Sequence, residues 1–413
     1  MSTLIVGGGP AGLTAACFSS PPVFVLERMS QPARKLLATG GGRCNLTHAA
    51  DPERIAAAFG RQARFTQPAL RAFPPDAIRA FFRGLGVETR AEPDGCVFPV
   101  SQRAADVAEA LLRAARANGA ELRCGVRVTR LLLTPAGARA EGPARVMGVE
   151  TADGAIRADR VILAAGGRSY PELGSDGSGF DLARDAGLTL TPPVPALAGL
   201  ILRETWPRAL AGVLCEQAGL WLDEPGGARR SLSGPLLFTH KGISGPPVLD
   251  LSGEIAARLL QHDGPVPLRV SFRHDRPAEA WRARFEAWRT RSGARALHNL
   301  LSGELPRSLA ETLCRITGAH GVAAARAGRG TLTALAGACA NQPLHASDTE
   351  SWGRAMVTRG GVAISELESA TLACRRIRGL ACAGEIVDVD GRCGGFNLSW
   401  AFASGRLAAC AAQ

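Results

Sequence analysis

The sequence predicts an α/β protein in which the two chain ends together build one domain around a parallel sheet. Three observations lead there. A Gly-Gly-Gly-Pro-Ala-Gly run at residues 7–12 follows a short apolar strand and opens a helix. Strand, Gly-rich turn and helix alternate at both ends of the chain, the pattern of a parallel sheet. Between Leu190 and Pro247 the texture changes to Pro-punctuated, strand-like pieces such as ALAGLIL and GPLLFTH. The expected organisation is a Rossmann-like nucleotide-binding domain over 1–190 and 357–413. A β-barrel-like domain occupies 191–274 and 326–356, and a small Arg/Ala/Leu-rich helical domain occupies 275–325. Residues 50–120 read as mostly helical.

A chain of 413 residues exceeds one ordinary core, in keeping with several domains. Its 46% apolar content is that of a globular protein, and no apolar run approaches the ~18 residues that span a bilayer. The N-terminus shows no charged n-region or cleavage site, so a cytoplasmic protein is expected. Eleven cysteines include no CxxC pair, and seven histidines show no HExxH or HxH spacing. Reduced thiols, with no metal, are the expectation. The net charge of +11 is nearly all arginine, because the only lysines are Lys35 and Lys241. Without a basic block or RNA-binding motif the charge reads as a solvated surface, and nucleic acid is not the expected partner. Both lysines lie in Gly-rich motifs, where a compact ammonium rather than a guanidinium is called for.

In order, the first motif gives each glycine a task. Gly7 permits the tight turn, Gly9 lets backbone approach a pyrophosphate, and Gly12 allows close helix–strand packing. Pro10 and Ala11 open the helix whose free N–H groups face the phosphates. Glu27 closes the second strand, VFVLER, where a carboxylate binds ribose hydroxyls, and Arg28 follows it as a further cofactor contact. The helix between is about one turn short of the usual spacing. Next comes ARKLLATGGGRCN, with Gly40, Gly41 and Gly42 exposing backbone between Lys35 and Arg43, then Cys44 and Asn45. A strand ending in Ala164-Ala165-Gly166-Gly167 lets the chain pass a nucleotide without side chains in the way. In the loop after it, Tyr170 packs and Asp176 caps the helix beginning near Phe180.

FTHKGISGPP places His240 and Lys241 beside Gly242 and Gly245, as proton donor and cation against a flavin or an anionic substrate. The competing reading makes them turn residues. In the tail, Gly384 precedes Glu385, and Glu385 and Asp388 are candidate acceptors for ribityl hydroxyls. Gly394, Gly395, Phe396, Asn397 and Leu398 begin the last helix, whose backbone can donate to a flavin pyrimidine ring. The first motif fixes a dinucleotide; the later segments turn it into FAD held from both chain ends.

These segments resemble the HI0933-type flavoproteins, a group that includes aminoacetone-oxidase-like and bile-acid-reductase-like enzymes. The resembling stretches are GGGPAGLTAA, RKLLATGGGRCNLTH, AAGGRSYPELGSDGSG, THKGISGPPVLDLS, VTRGGVAISELESATL and GEIVDVDGRCGGFNLSWAFASG, in family order across nearly the whole chain. The resemblance implies FAD, barrel and helical domains. It also implies that Gly7–Gly12, Glu27, Gly40–Asn45 and Gly394–Leu398 surround FAD, with Val128 near the adenine.

FAD points to two-electron transfer. No second GxGxxG unit marks a separate NAD(P)H domain, and no cysteine pair near the N-terminus offers a dithiol relay. The leading expectation is an FAD-dependent oxidoreductase of a small organic molecule, an amine or an enone, with oxygen or transiently docked NAD(P)H as partner. Its site is expected between the FAD and barrel domains, near His240, Lys241 and Gly360-Gly361. The rivals are an RNA-associated flavoprotein that holds tRNA on its basic face and a non-catalytic FAD-binding protein.

Overall fold

Strand β1 (Thr3–Val6) has all four side chains buried, the signature of a strand covered on both faces. It lies at the centre of a five-stranded parallel sheet of order Leu380–Cys382, Arg160–Leu163, β1, β2 (Val23–Glu27), Ala120–Cys124. Leu4 pairs with Val161 on one side and Phe24 on the other, and Val161 pairs in turn with Leu380. One edge strand therefore comes from the C-terminal part of the chain. The computed structural model describes residues 1–134, 143–223 and 229–410.

Helix α1 (Pro10–Phe18) starts with proline in its first turn, where the missing N–H would have no intrahelical acceptor anyway. It packs on the C-terminal helix, Phe396–Cys410, with almost no side chain between the two backbones. A Cβ on Gly405 would stand 2.2 Å from the Ala11 carbonyl oxygen.

Two compact units result, residues 1–195 with 355–413 and residues 196–354. In the first, the stretch expected as mostly helical also holds strands Thr89–Ala91 and Cys96–Pro99, which pair antiparallel with each other, and Cys96–Pro99 pairs on its other side with Thr47–His48. Their turn is set by Asp94-Gly95: the Asp94 carboxylate accepts from the Cys96 N–H at 3.0 Å, and Gly95 has φ +87°. Strands this short are lost in a helical pattern, and the Asp-Gly pair was their one signal.

In the second unit six strands close into an antiparallel barrel. Its order is Leu200–Leu202, Gly242–Ser244, Arg229–Phe238, Leu214–Asp223, Val266–Ser271, Gln342–Thr349. Segment 326–356, expected in the barrel domain, begins with helix Arg329–Ala340 before its strand. That helix buries Leu332, Leu335, Ala336 and Cys339, the i, i+3, i+4, i+7 spacing of one face. Trp281, Phe285 and Leu313 from the helices share one buried cluster with Leu220, Phe238 and Val270 from the barrel, so helices and barrel make one unit. The α/β Rossmann-type fold with a barrel and added helices is thus present. No helix among the described residues is long and apolar enough to cross a membrane.

The Gly405–Ala11 contact leaves no space for a methyl group. Gly405→Ala is expected to lower stability by about 1–3 kcal/mol, the usual cost of overpacking, read as a lower urea midpoint at unchanged slope.

Candidate functional site

A cleft opens in the first unit where β1, β2 and Arg160–Leu163 reach their carboxyl ends, the usual binding position in a parallel sheet. Gly7, Gly9, Pro10 and Ala11 line it from one element, and Asn397, Leu398, Trp400 and Ala401 from the start of the C-terminal helix. The glycines explain how the backbone comes so near. Gly7 has φ +108°, and a Cβ there would lie 2.4 Å from the Ala164 oxygen; one on Gly12 would lie 2.0 Å from the Gly7 oxygen. A Cβ on Gly9 would meet nothing within 4 Å, so this glycine leaves the approach to the helix start open.

Glu27 lines the cleft despite the short helix before it. Its carboxylate accepts from the Gly8 and Met29 N–H groups, both at 2.8 Å, which fixes it at the strand end with lone pairs to spare. Lys35 stands in α2 (Arg34–Ala38) and donates to Glu385 at 2.5 Å and Ser169 at 2.6 Å. The Glu385 carboxylate also accepts from the Ser169 hydroxyl and the Thr358 N–H, each at 2.9 Å. Both Lys35 and Glu385 line the cleft, as do Ala165 and Gly166. Gly167 makes room for this cluster, since a Cβ there would lie 2.7 Å from Glu385. Glu385, expected as an open acceptor, is held by three donors of the chain.

Other expected residues lie beside the cleft with partners of their own. Arg28 binds Asp176 at 3.1 Å and the Gly174 carbonyl at 3.3 Å. Asp176 also accepts from Ser178 at the start of helix Ser178–Asp185. Burial pushes the Asp176 carboxyl up, but the Ser178 bonds together with Arg28 and Arg127 outweigh it and hold it below the usual range. Arg43, expected to flank the glycines as a cation, pairs with Glu92 at 3.2 Å and lies over the Phe98 ring at 4.1 Å. Gly40, Gly41 and Gly42 all have positive φ and carry the chain round to that position.

Cys44 is fully buried; burial pushes its thiol up to about 12, the Thr39 side chain pulling the other way. Asn45 accepts from the Val97 N–H at 3.2 Å and so anchors the hairpin. Asp388, the second expected ribityl acceptor, is buried and bonded instead to Arg61 at 2.8 Å and the Gly360 N–H at 3.1 Å. Gly384 is buried against Ala11, its N–H bonded to Ser404. Gly395 packs on the Thr47 backbone, the Gly394 carbonyl meets His48 at 3.2 Å, and Phe396 stacks on the His48 ring. Val128 is buried two residues beyond Val126, whose N–H bonds the Glu27 carbonyl.

His240 and Lys241 belong to the second unit. They are the exposed tip of the tight turn between strands Arg229–Phe238 and Gly242–Ser244, where the Thr239 hydroxyl accepts the Gly242 N–H at 3.0 Å. This arrangement fits turn residues.

Cleft residues the sequence reading missed include Met29, Arg34, Thr39, Leu173–Ser175, Met356, Val357 and Trp400. Arg34 had a signal in its place beside Lys35. Ser175 lay in a loop read only for its helix cap.

The donor set suits a dinucleotide. The first N–H groups of α1 have no intrahelical acceptor, the Glu27 carboxylate faces the cleft, and the buried Ser175 hydroxyl has no partner among the described residues. No group of three or more His, Cys, Asp or Glu among the described residues is placed to hold a metal.

Residues 1–411 match the family model described as HI0933-like protein Rossmann domain. A 3-dehydro-bile acid delta(4,6)-reductase of Clostridium scindens is 35% identical over 419 residues, covering 99% of this chain and 98% of the relative. A ribosomal RNA dihydrouridine synthase of Escherichia coli is 27% identical over 413 residues, covering 97% and 95%. The 3-ketosteroid delta1-dehydrogenase of Sterolibacterium denitrificans superposes with a TM-score of 0.54 over 98% of each chain, at 13% identity, a likeness of fold.

Lys35 and Glu385 tie two distant segments together, and removing one partner strands the other. Lys35→Met is expected to lower apoprotein stability by about 1–3 kcal/mol in urea melts, against roughly 0.5 kcal/mol for the more exposed Arg43→Ala.

Proposed function

This chain belongs to the HI0933-like family and is an FAD-dependent oxidoreductase, and on that footing we propose that it reduces a carbon–carbon double bond conjugated to a carbonyl group. The observation that carries this reading is the full-length, 35% identity to a reductase of a 3-dehydro-bile acid. The delta(4,6) double bonds of that substrate class are conjugated with a 3-keto group. A ribosomal RNA dihydrouridine synthase, related over 97% of this chain, has the same bond chemistry in its name: uracil is an enone-like ring, and dihydrouracil is its saturated product. The two relatives differ in what carries the double bond.

When bound and reduced by the nicotinamide, the flavin would supply a hydride, which carries both electrons, and the saturated product would take its second hydrogen as a proton from solvent. The chain's part is to hold and orient it. The start of α1 receives the pyrophosphate, Glu27 the ribose, and the N-terminal turn of Phe396–Cys410 the pyrimidine ring. Lys35 holds the Glu385 carboxylate in place within the cleft wall. The electron donor is a nicotinamide that docks transiently, because the sequence carries no second dinucleotide fingerprint. A small sterol-like enone is the substrate favoured by the higher identity. The second reading, a uridine in RNA, is favoured by the dihydrouridine synthase relatives and by the net charge of +11.

Anaerobic mixing of the FAD-loaded protein with NADH or NADPH is expected to bleach the flavin. A 3-keto-4,6-diene bile acid added next restores the oxidised spectrum, whereas its saturated 3-keto analogue does not. A uridine-containing ribosomal RNA fragment tests the second reading in the same cuvette. A reduced flavin that is reoxidised by neither conjugated substrate removes the proposal.

A further inference from the structure

Three cysteine pairs among the described residues bring their thiols close enough to interact: Cys314 with Cys339, Cys374 with Cys382, and Cys96 with Cys393. The first two pairs are packed into the two hydrophobic cores, out of reach of solvent. Cys393 is exposed and Cys96 half-buried, so of these pairs only the third can meet a dissolved reagent.

Backbone geometry brings this pair together. Cys96 stands directly opposite His48 where Cys96–Pro99 pairs with Thr47–His48, which puts the two side chains side by side on one face. The His48 ring donates from Nδ1 to the Gly394 carbonyl at 3.2 Å, one residue past Cys393. Gly395 is clamped at the same place: a Cβ there would stand 2.4 Å from the Thr47 oxygen and 2.6 Å from Asn45 Oδ1. The Asn45 side chain also hydrogen-bonds the Cys96 thiol. The turn that carries Cys393 is itself closed, because the Asn397 side chain accepts from the Gly391 N–H at 2.8 Å and donates to the Gly391 carbonyl at 2.9 Å. Asn397 and Leu398 line the cleft. The two thiols differ in reactivity. Burial pushes the Cys96 thiol up to about 11, against the pull of the Asn45 side chain and with the help of Asp94, so at neutral pH it stays protonated. Cys393, facing solvent, is the thiol that a peroxide reaches first.

We propose that Cys96 and Cys393 are a reversible redox-modification site, oxidised by hydrogen peroxide to a disulfide that fastens the strand pair to the turn before the C-terminal helix. Cys393 gives up its proton and its sulfur attacks one peroxide oxygen. The O–O bond breaks, hydroxide leaves and takes up that proton as water, and Cys393 becomes a sulfenic acid. The Cys96 sulfur then attacks the Cys393 sulfur, the S–O bond breaks, and the second hydroxide leaves as water with the Cys96 proton. Two thiols and one peroxide give one disulfide and two waters, the sulfurs losing the two electrons that the peroxide gains. A dithiol reductant reverses the bond. Because the fastened turn leads into Asn397 and Leu398 of the cleft wall, the disulfide slows release of the bound cofactor. This last link rests on the FAD reading above; the disulfide itself does not.

The test treats the full-length, FAD-loaded protein with equimolar hydrogen peroxide, then denatures it, alkylates it and maps its peptides by mass spectrometry. The expected result is loss of the Cys96 and Cys393 thiols to alkylation and one intramolecular cross-linked peptide pair joining them, both reversed by dithiothreitol. In Cys96→Ser a sulfenic acid accumulates at Cys393 and is trapped by dimedone, whereas in Cys393→Ser the Cys96 thiol stays unoxidised. FAD leaves the oxidised wild-type protein roughly threefold or more slowly than the reduced one, and Cys393→Ser shows no such difference. Thiols that are both still alkylated after peroxide, a cross-link only between separate chains, or a sulfenic acid on Cys96 in Cys393→Ser overturns the site. A disulfide with unchanged FAD release overturns its effect on the cofactor. A protein that binds no FAD overturns the FAD reading, and the cross-link is then read on the apoprotein.

Discussion

The close approach of two backbones, α1 and the C-terminal helix, is the constraint on which the site depends. Gly405 faces the Ala11 carbonyl where no side chain fits, and Gly384 sits against the Ala11 side chain from the same C-terminal stretch. With β1 and Leu380–Cys382 in one sheet, this contact directs the starts of both helices to a single cleft. Each helix start carries unpaired N–H groups and a positive dipole end. Two such ends, contributed from opposite termini of a long chain, favour one extended, anionic, hydrogen-bonding ligand.

The side chains of the cleft wall divide into those that hold the wall and those that face the ligand. Lys35, Glu385, Ser169 and Thr358 join four separate stretches of sequence by short polar bonds. Arg28 and Asp176 fasten a fifth. The helix starts, Glu27 and Ser175 keep capacity for a partner outside the chain. A preorganised wall of this kind lowers the ordering cost of binding, which matters for a cofactor that must stay in place through turnover.

What was legible in the sequence follows this division. Glycine positions could be read because their demands are local: a turn, a close carbonyl, a helix start. Gly7, Gly9 and Gly12 behave as their spacing required. Charged residues could not be assigned in the same way, because their partners are remote in sequence. Arg43 is claimed by Glu92 and Phe98, Arg28 by Asp176, and Asp388 by Arg61, all decided by tertiary folding. The scarcity of lysine held only half its promise. Lys35 places a compact ammonium between a carboxylate and a hydroxyl, whereas Lys241 sits on an exposed turn with no such demand. The hairpin at 89–99 and the helix at 329–340 were obscured by neighbouring patterns of the opposite kind.

The central claim is that both chain ends grip one cofactor in the first unit. Hydrogen exchange of the apoprotein with and without FAD measures it directly. The account predicts new protection in two separate peptides, one covering the start of α1 at residues 9–13 and one covering the start of the C-terminal helix at 395–401. Protection of the first peptide with none in the second would contradict it, since the cofactor would then be held from the N-terminal side alone.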